Sequence, residues 1–172
     1  MTLENLVWIS VALFMVHEFE ELVRIRPWLA RHRDDPRARE QGFWSFSGTS
    51  TSTMAAMIFE EYVLFVLFAL AAVLFHLPGM FSGLLVAYTL HLLGHIAEAI
   101  RLRMQTPSVI SSVITLPWYL YAIAALAGRS GSIIEVGVWS VACIGVMLAN
   151  FALIYRLRPI IEARLYPARG DG

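Results

Sequence analysis

Five apolar stretches, each close to the roughly twenty residues an α-helix needs to cross a bilayer core, divide this 172-residue chain. They run over about 3–22, 53–75, 80–100, 108–127 and 132–155. With 58% hydrophobic residues, the composition is that of an integral membrane protein and not of a soluble domain. The expected fold is therefore an all-α integral membrane protein, a single membrane domain over 1–172 with five transmembrane helices in a bundle. His76-Leu77-Pro78-Gly79 and Gly128-Arg129-Ser130-Gly131 read as tight turns, which makes the helices they join antiparallel neighbours. The one long connection, 23–52, is polar and Arg-rich, and is expected as a short amphipathic helix on the membrane surface. The first stretch lacks the basic start and small-residue cleavage site of a signal peptide and is read as retained.

Orientation follows from thirteen arginines in a chain without lysine. Arg24, Arg26, Arg31, Arg33, Arg37 and Arg39 follow the first stretch, Arg101 and Arg103 the third, and Arg156, Arg158, Arg164 and Arg169, in the tail 156–172, the fifth. Only Arg129 falls at the other end. The positive-inside rule then places the amino terminus outside and the carboxyl terminus in the cytoplasm, in what is expected to be a bacterial inner (plasma) membrane. Four or six spans would split the basic loops between the two sides.

Ionisable side chains inside such spans are costly and point to function. The first span carries His17, Glu18, Glu20 and Glu21, the second Glu60 and Glu61, the third His91, His95 and Glu98. Counted back from the first cytoplasmic arginine, His17 lies roughly 10 Å deep and Glu20 and Glu21 roughly 5 Å, while His91, His95 and Glu98 lie roughly 15, 9 and 5 Å above Arg101. All three helices thus deliver polar groups to the cytoplasmic half. His17, Glu20 and Glu21 (i, i+3, i+4) share one helix face, as do His91, His95 and Glu98 (i, i+4, i+7). If these stripes face each other with Glu60 or Glu61 between them, the interior holds the inventory of a carboxylate-bridged two-metal centre. The expected metal ligands are His17, Glu20, Glu21, Glu60, Glu61, His91, His95 and Glu98, with Glu20 and Glu60 as catalytic carboxylates. Two divalent ions are expected, with iron favoured and zinc or manganese as alternatives.

His17-x-x-Glu20-Glu21, followed by Pro27-Trp28-Leu29 and His32-Arg33, resembles the opening of the HXXEE family of small membrane proteins, named for its motif and of unknown function. Gly94-His95 and then Gln105-Thr106-Pro107-Ser108 fall where that family has a further histidine and a Tyr-x-Pro-Gly element, with Gln105 in place of tyrosine and Ser108 in place of glycine. The resemblance groups His17, Glu20, Glu21 and His95 as a site and implies no reaction.

Simpler readings apply to other residues. An intramembrane His or Glu can be helix glue worth about 1 kcal/mol, but seven or more at one depth are hard to explain in that way. Glu18, about 100° around the helix from His17, is expected at a helix interface or behind a ligand. His32 and His76 read as solvated loop residues and Glu135 as interfacial. Asn150 reads equally as a hydrogen-bond partner of a ligand or as helix glue, and Arg101 as the neutraliser of Glu98. Trp118, Tyr119 and Tyr121 fit an aromatic belt, and the lone Cys143 fits packing. His17-Glu18 lacks the second histidine of the zinc-protease helix. The Arg-rich loop is accounted for by topology and anionic lipid, so no nucleic-acid partner is expected.

The functional expectation is a membrane metalloenzyme acting on a lipophilic small molecule, with oxidation at a di-iron centre slightly preferred. The alternatives are a zinc hydrolase, a metal-free His/Glu isomerase or cyclase, and a proton or divalent-cation transporter. Five spans without inverted repeats count against the transporter, although a homodimer would restore symmetry.

Overall fold

The computed structural model describes residues 1–40 and 42–166, the side chains of Phe43 and Trp44 excepted. Gln41 in the long connection and the tail from 167 onward, Arg169 included, lie outside the described residues. The described residues form five α-helices and two short 3-10 helices, with no strand among them. The α-helices are α1 (Leu3–Arg31), α2 (Thr51–Leu74), α3 (Pro78–Leu102), α4 (Val109–Ala127) and α5 (Ile133–Leu165). Helices α2 to α5 are each long and apolar enough to cross a membrane. α1 is left out of that set by its second half, where His17, Glu18, Glu20 and Glu21 sit among the apolar residues. Large apolar side chains on every helix point outward and are more than half exposed, among them Phe19, Phe59, Ile100, Ile114 and Val141. Such a surface suits lipid and would be an aggregation liability in water.

Side chains cap three of the helix starts. Thr2 accepts from the Asn5 N–H at 3.2 Å, Ser50 from Thr53 at 3.1 Å and Ser132 from Ile134 at 3.1 Å. α3 begins on Pro78, whose missing N–H would have no partner in a first turn anyway.

Two helices run past the ends expected from hydropathy. α1 continues to Arg31 because Ile25, Trp28 and Leu29, spaced i, i+3, i+4, bury against Met54, Met57 and Ile154 in a second apolar cluster. α5 continues to Leu165, which lets Glu162 accept from the Ser50 N–H (3.0 Å) and hydroxyl (2.9 Å) at the start of α2. The surface helix expected in 23–52 is thus replaced by the last turns of α1, the 3-10 helices Pro36–Glu40 and Gly42–Phe46 and the first residues of α2.

The helices form a ring in the order α3, α4, α1, α2, α5 and back to α3, with a lesser contact between α2 and α3. The turn at 128–131 does not make α4 and α5 packing neighbours, since α3 packs broadly on both while they scarcely touch. The cause is visible in α3. A Cβ on Gly83 would stand 2.6 Å from the Trp139 carbonyl carbon and 2.7 Å from the Ser140 nitrogen, so only glycine lets α5 lie this close. Glu135 in turn lies over Gly79, against packing protein rather than at an open interface. α1 and α4 are joined through Ser10, which accepts from Trp118 Nε1 at its hydroxyl and from the Tyr119 hydroxyl at its carbonyl, both at 3.0 Å. Tyr119 is fully buried, which removes it from the expected aromatic belt.

Arg129 donates to the Met1 carbonyl, whereas Arg26 reaches Ser47, Arg101 reaches Glu40 and Arg158 reaches Ser45. The basic segments among the described residues therefore gather at one end of the bundle, apart from Arg129. Arg101 answers Glu40 at 3.5 Å instead of serving Glu98 alone.

Replacing Gly83 with alanine should push α5 off α3 and destabilise the bundle by about 1–3 kcal/mol through overpacking. Gly94→Ala, in the same helix with nothing within 4 Å, should not. Thermal unfolding of the two variants in one detergent compares them. Equal midpoints would contradict the close α3–α5 contact.

Candidate metal centre

α1 and α3 hardly touch through their backbones, and side chains fill the space between them. In the half away from the arginines this filling is aromatic. Phe14 stacks on Phe65 (ring centroids 4.7 Å apart) and meets Tyr88 at 5.2 Å, and Tyr88 meets Tyr119 edge-on at 5.0 Å. Immediately beyond this tier lie three histidines. The His17 ring is 5.2 Å from His95 and 5.5 Å from His91, which are 4.5 Å from each other.

Ligand atoms of His17, Glu21, His91 and His95 all lie within 4.8 Å of one another. The Nε2 atoms of His91 and His95 are 3.0 Å apart, and His95 Nε2 is 3.8 Å from Glu21 Oε2. Imidazole nitrogens about 2.0–2.1 Å from a tetrahedral ion would stand roughly 3.3 Å apart, near the observed histidine pair. The widest separation exceeds twice that bond length by about 0.6 Å, a shift that side-chain rotation can supply.

α4 determines how α1 presents these groups. Ser108 begins it at φ 66°, the left-handed region where glycine is unstrained, and makes no cap to its own helix. Its hydroxyl instead donates to Glu21 Oε2 at 3.0 Å. The cap comes from α1, where Glu20 accepts the Ser111 N–H at 2.6 Å with one oxygen and Arg24 at 2.5 Å with the other. Both carboxylates thus sit at the positive end of the α4 dipole. The Ser111 hydroxyl lies 3.1 Å from the Ser108 carbonyl and 3.0 Å from His17 Nδ1. A carbonyl cannot donate, so the single hydroxyl proton goes to it and Nδ1–H donates to Ser111. That tautomer leaves a lone pair on His17 Nε2. This atom is fully buried and has no hydrogen-bond partner among the described residues.

A cavity of about 240 Å³ opens from the group toward the arginine-rich end, lined by Glu18, Glu21, Glu61, His91, His95 and Glu98 together with Met54, Met57, Phe151 and Tyr155. Of the residues expected in the site, His17, Glu21, His91 and His95 come together, and Glu61 and Glu98 line the adjoining cavity. Glu98 also accepts from the Gly42 N–H at 2.9 Å. Glu20 and Glu60, expected as catalytic carboxylates, lie elsewhere. Glu20 is committed to Arg24 and Ser111, and Glu60 faces α5, where Asn150 donates to it at 3.1 Å. One residue apart means about 100° of rotation, so only one of Glu60 and Glu61 can face inward. Glu18, expected at a helix interface or behind a ligand, is 3% exposed and lines the cavity. Sequence reasoning gave no role to Ser108 and Ser111; their signals were a Ser-rich start to an apolar helix and, for Ser108, its place at the family's glycine, which suits a left-handed φ. His32 packs on Trp28 (4.8 Å) rather than standing free in solvent.

A family model described as a protein of unknown function with HXXEE motif matches residues 8–122. The chain belongs to this family. No curated protein and no solved structure matches the chain. The geometry gives the HXXEE motif a physical reading. Its histidine and last glutamate, one turn apart, enter the four-residue group, while its first glutamate caps the helix that steadies them. The Gln105 departure is tolerated because Trp28 Nε1 binds that residue through its backbone carbonyl, at 2.8 Å.

Ser111→Ala removes the anchor of His17 Nδ1. Loss of such an outer hydrogen bond should weaken metal binding about 10–100-fold with the helices intact. Competition against a chelator of known affinity measures it, and unchanged affinity would contradict the role given to Ser111.

Proposed function

We propose that this HXXEE protein is a membrane-embedded metalloenzyme acting on a lipophilic small molecule, with its ion held by His17, Glu21, His91 and His95. The supporting observation is the fully buried His17 Nε2 lone pair, which has no hydrogen-bond partner among the described residues, in a group where His17, Glu21, His91 and His95 each bring one ligand atom within 4.8 Å of the others. A packing histidine would have satisfied both ring nitrogens. Imidazole and carboxylate together suit zinc, iron or manganese, and such an ion would supply Lewis acidity or, as iron, redox chemistry.

The chain's own residues supply the remainder. Met54, Met57 and Phe151 give the cavity an apolar wall suited to a greasy substrate, and Glu61, across from the histidines, is the carboxylate suited to carry a proton. The Phe14–Phe65–Tyr88–Tyr119 tier packs against the far side of the histidines, which supports chemistry over translocation. The dinuclear centre expected from the sequence is the less supported reading, because Glu18 and Glu61 line the adjoining cavity but do not belong to the group whose ligand atoms converge. The gathered arginines support five spans with the amino terminus outside and the site in the cytoplasmic half.

Purified protein should carry about one equivalent of zinc, iron or manganese by elemental analysis, or two for the dinuclear reading. His95→Ala should lose most of it. Wild-type protein that takes up no metal after reconstitution with each ion would sink the proposal.

With Cys143 replaced by serine, single cysteines in place of Arg33 and of Ser130 should react with impermeant maleimide from opposite sides of the membrane. Labelling of both from one side would overturn the five-span topology.

A further inference from the structure

Two cavities meet at Glu18. The second, about 60 Å³, is bounded by α1, α2, α3 and α5, with walls of Leu64, Phe68, Leu84, Val146 and Met147. It shares Glu18, Glu61, His91 and Phe151 with the acidic cavity, so the two adjoin at these side chains. Val146 is also 42% exposed on the outer surface, which brings the apolar end of this space to the edge of the lipid.

Glu18 is 3% exposed, and its carboxylate makes no hydrogen bond or ion pair among the described residues. No arginine lines either cavity. A carboxylate buried in this state is costly and is answered either by a proton or by a cation. A second metal ion fits poorly there, because neither Glu18 nor Glu61 belongs to the group whose ligand atoms converge. An organic cation fits better, because the space beyond the carboxylates is hydrocarbon. An anionic headgroup between Glu18 and Glu61 would meet like charge on both sides.

We infer that the site takes an aliphatic ammonium amphiphile, with the ammonium between Glu18 and Glu61, the first carbons of the alkyl chain in the apolar cavity between α2, α3 and α5, and the rest of the chain leaving past Val146 into lipid. The head then lies beside the His17–Glu21–His91–His95 group. Any reaction of this ligand rests on the metal reading above, but its binding does not.

The test is binding of radiolabelled n-octylamine to the full chain in neutral lipid nanodiscs, with octanol and octanoate as competitors. Saturable binding that unlabelled amine displaces and octanoate does not is the expected result. Glu18→Gln should weaken binding about tenfold or more with metal content unchanged. Val146→Phe, at a lipid-facing position, should weaken octylamine more than n-butylamine, which a general loss of folding would not do. Equal competition by octanoate, or undiminished affinity in Glu18→Gln, would overturn the inference. So would a fall in metal from two equivalents to one in that variant, which would make Glu18 a metal ligand. Glu18-dependent amine binding by a protein that takes up no metal would sustain this inference and sink the metalloenzyme reading. Metal uptake without amine binding would do the reverse.

Discussion

A carboxylate inside an apolar bundle has to be given a partner, and most of this architecture follows from placing partners around one turn of α1. Glu18, Glu20 and Glu21 leave that turn in three directions. Glu20 turns to α4, where the first-turn N–H of Ser111 and the guanidinium of Arg24 take its two oxygens. Glu21 turns inward to the Ser108 hydroxyl and the histidines. Glu18 turns toward α2 and the cavity. α4 must therefore begin beside this turn of α1, and the Ser10 contacts with Trp118 and Tyr119 hold the two helices together farther along. With α4 committed to α1, α5 finds its place on the opposite side of α3, against Gly83.

The start of α4 shows how much one strained residue can organise. A serine in the ordinary extended cap conformation would have turned its hydroxyl to its own helix. At φ 66° Ser108 gives up that bond, and its hydroxyl becomes available to Glu21. The orphaned N–H of Ser111 is then satisfied by Glu20 from the neighbouring helix. Strain of this kind persists where the surroundings over-determine it. Here the surroundings are the carboxylates that need the donors.

The sequence made the layer and the faces legible. Spacings of four place His17 with Glu21 and His91 with His95, and counting from the arginines brings both pairs to one depth. Spacing could not choose between Glu60 and Glu61, because neighbours on a helix differ only by a rotation that packing decides. It also misjudged Glu20, since i+3 and i+4 both lie near the histidine face, and the difference became chemical only when α4 supplied a donor for one of them. Ser108 and Ser111 were not read because hydroxyls in an apolar helix are ordinarily bonded to the preceding turn, as Ser112 and Thr115 are here. The last turns of α1 escaped a hydropathy count because Ile25, Trp28 and Leu29 are diluted by arginines, although their spacing matches a buried helical face. The neighbour relation of α4 and α5 failed for a different reason. A short turn fixes where a helix starts, not what it lies against.

The proposed metal centre and plain polar packing ask different things of the histidines. Two neutral imidazole nitrogens 3.0 Å apart need one proton between them, so one of His91 and His95 must be protonated on Nε2 when no cation is shared. That proton gains a single hydrogen bond while His17 Nε2 stays unsatisfied and Glu21 lies 3.8 Å from His95. An ion held by His17, Glu21, His91 and His95 would accept a lone pair from each imidazole, with any ring proton displaced to the outer nitrogen, and would neutralise the carboxylate. Metal uptake should therefore be coupled to this proton. Without an ion, His17 Nε2 stays unmet among the described residues, as do the Tyr88, Thr89 and Thr106 hydroxyls, although α1 and α4 satisfy Glu20, Ser111 and Tyr119 with hydrogen bonds.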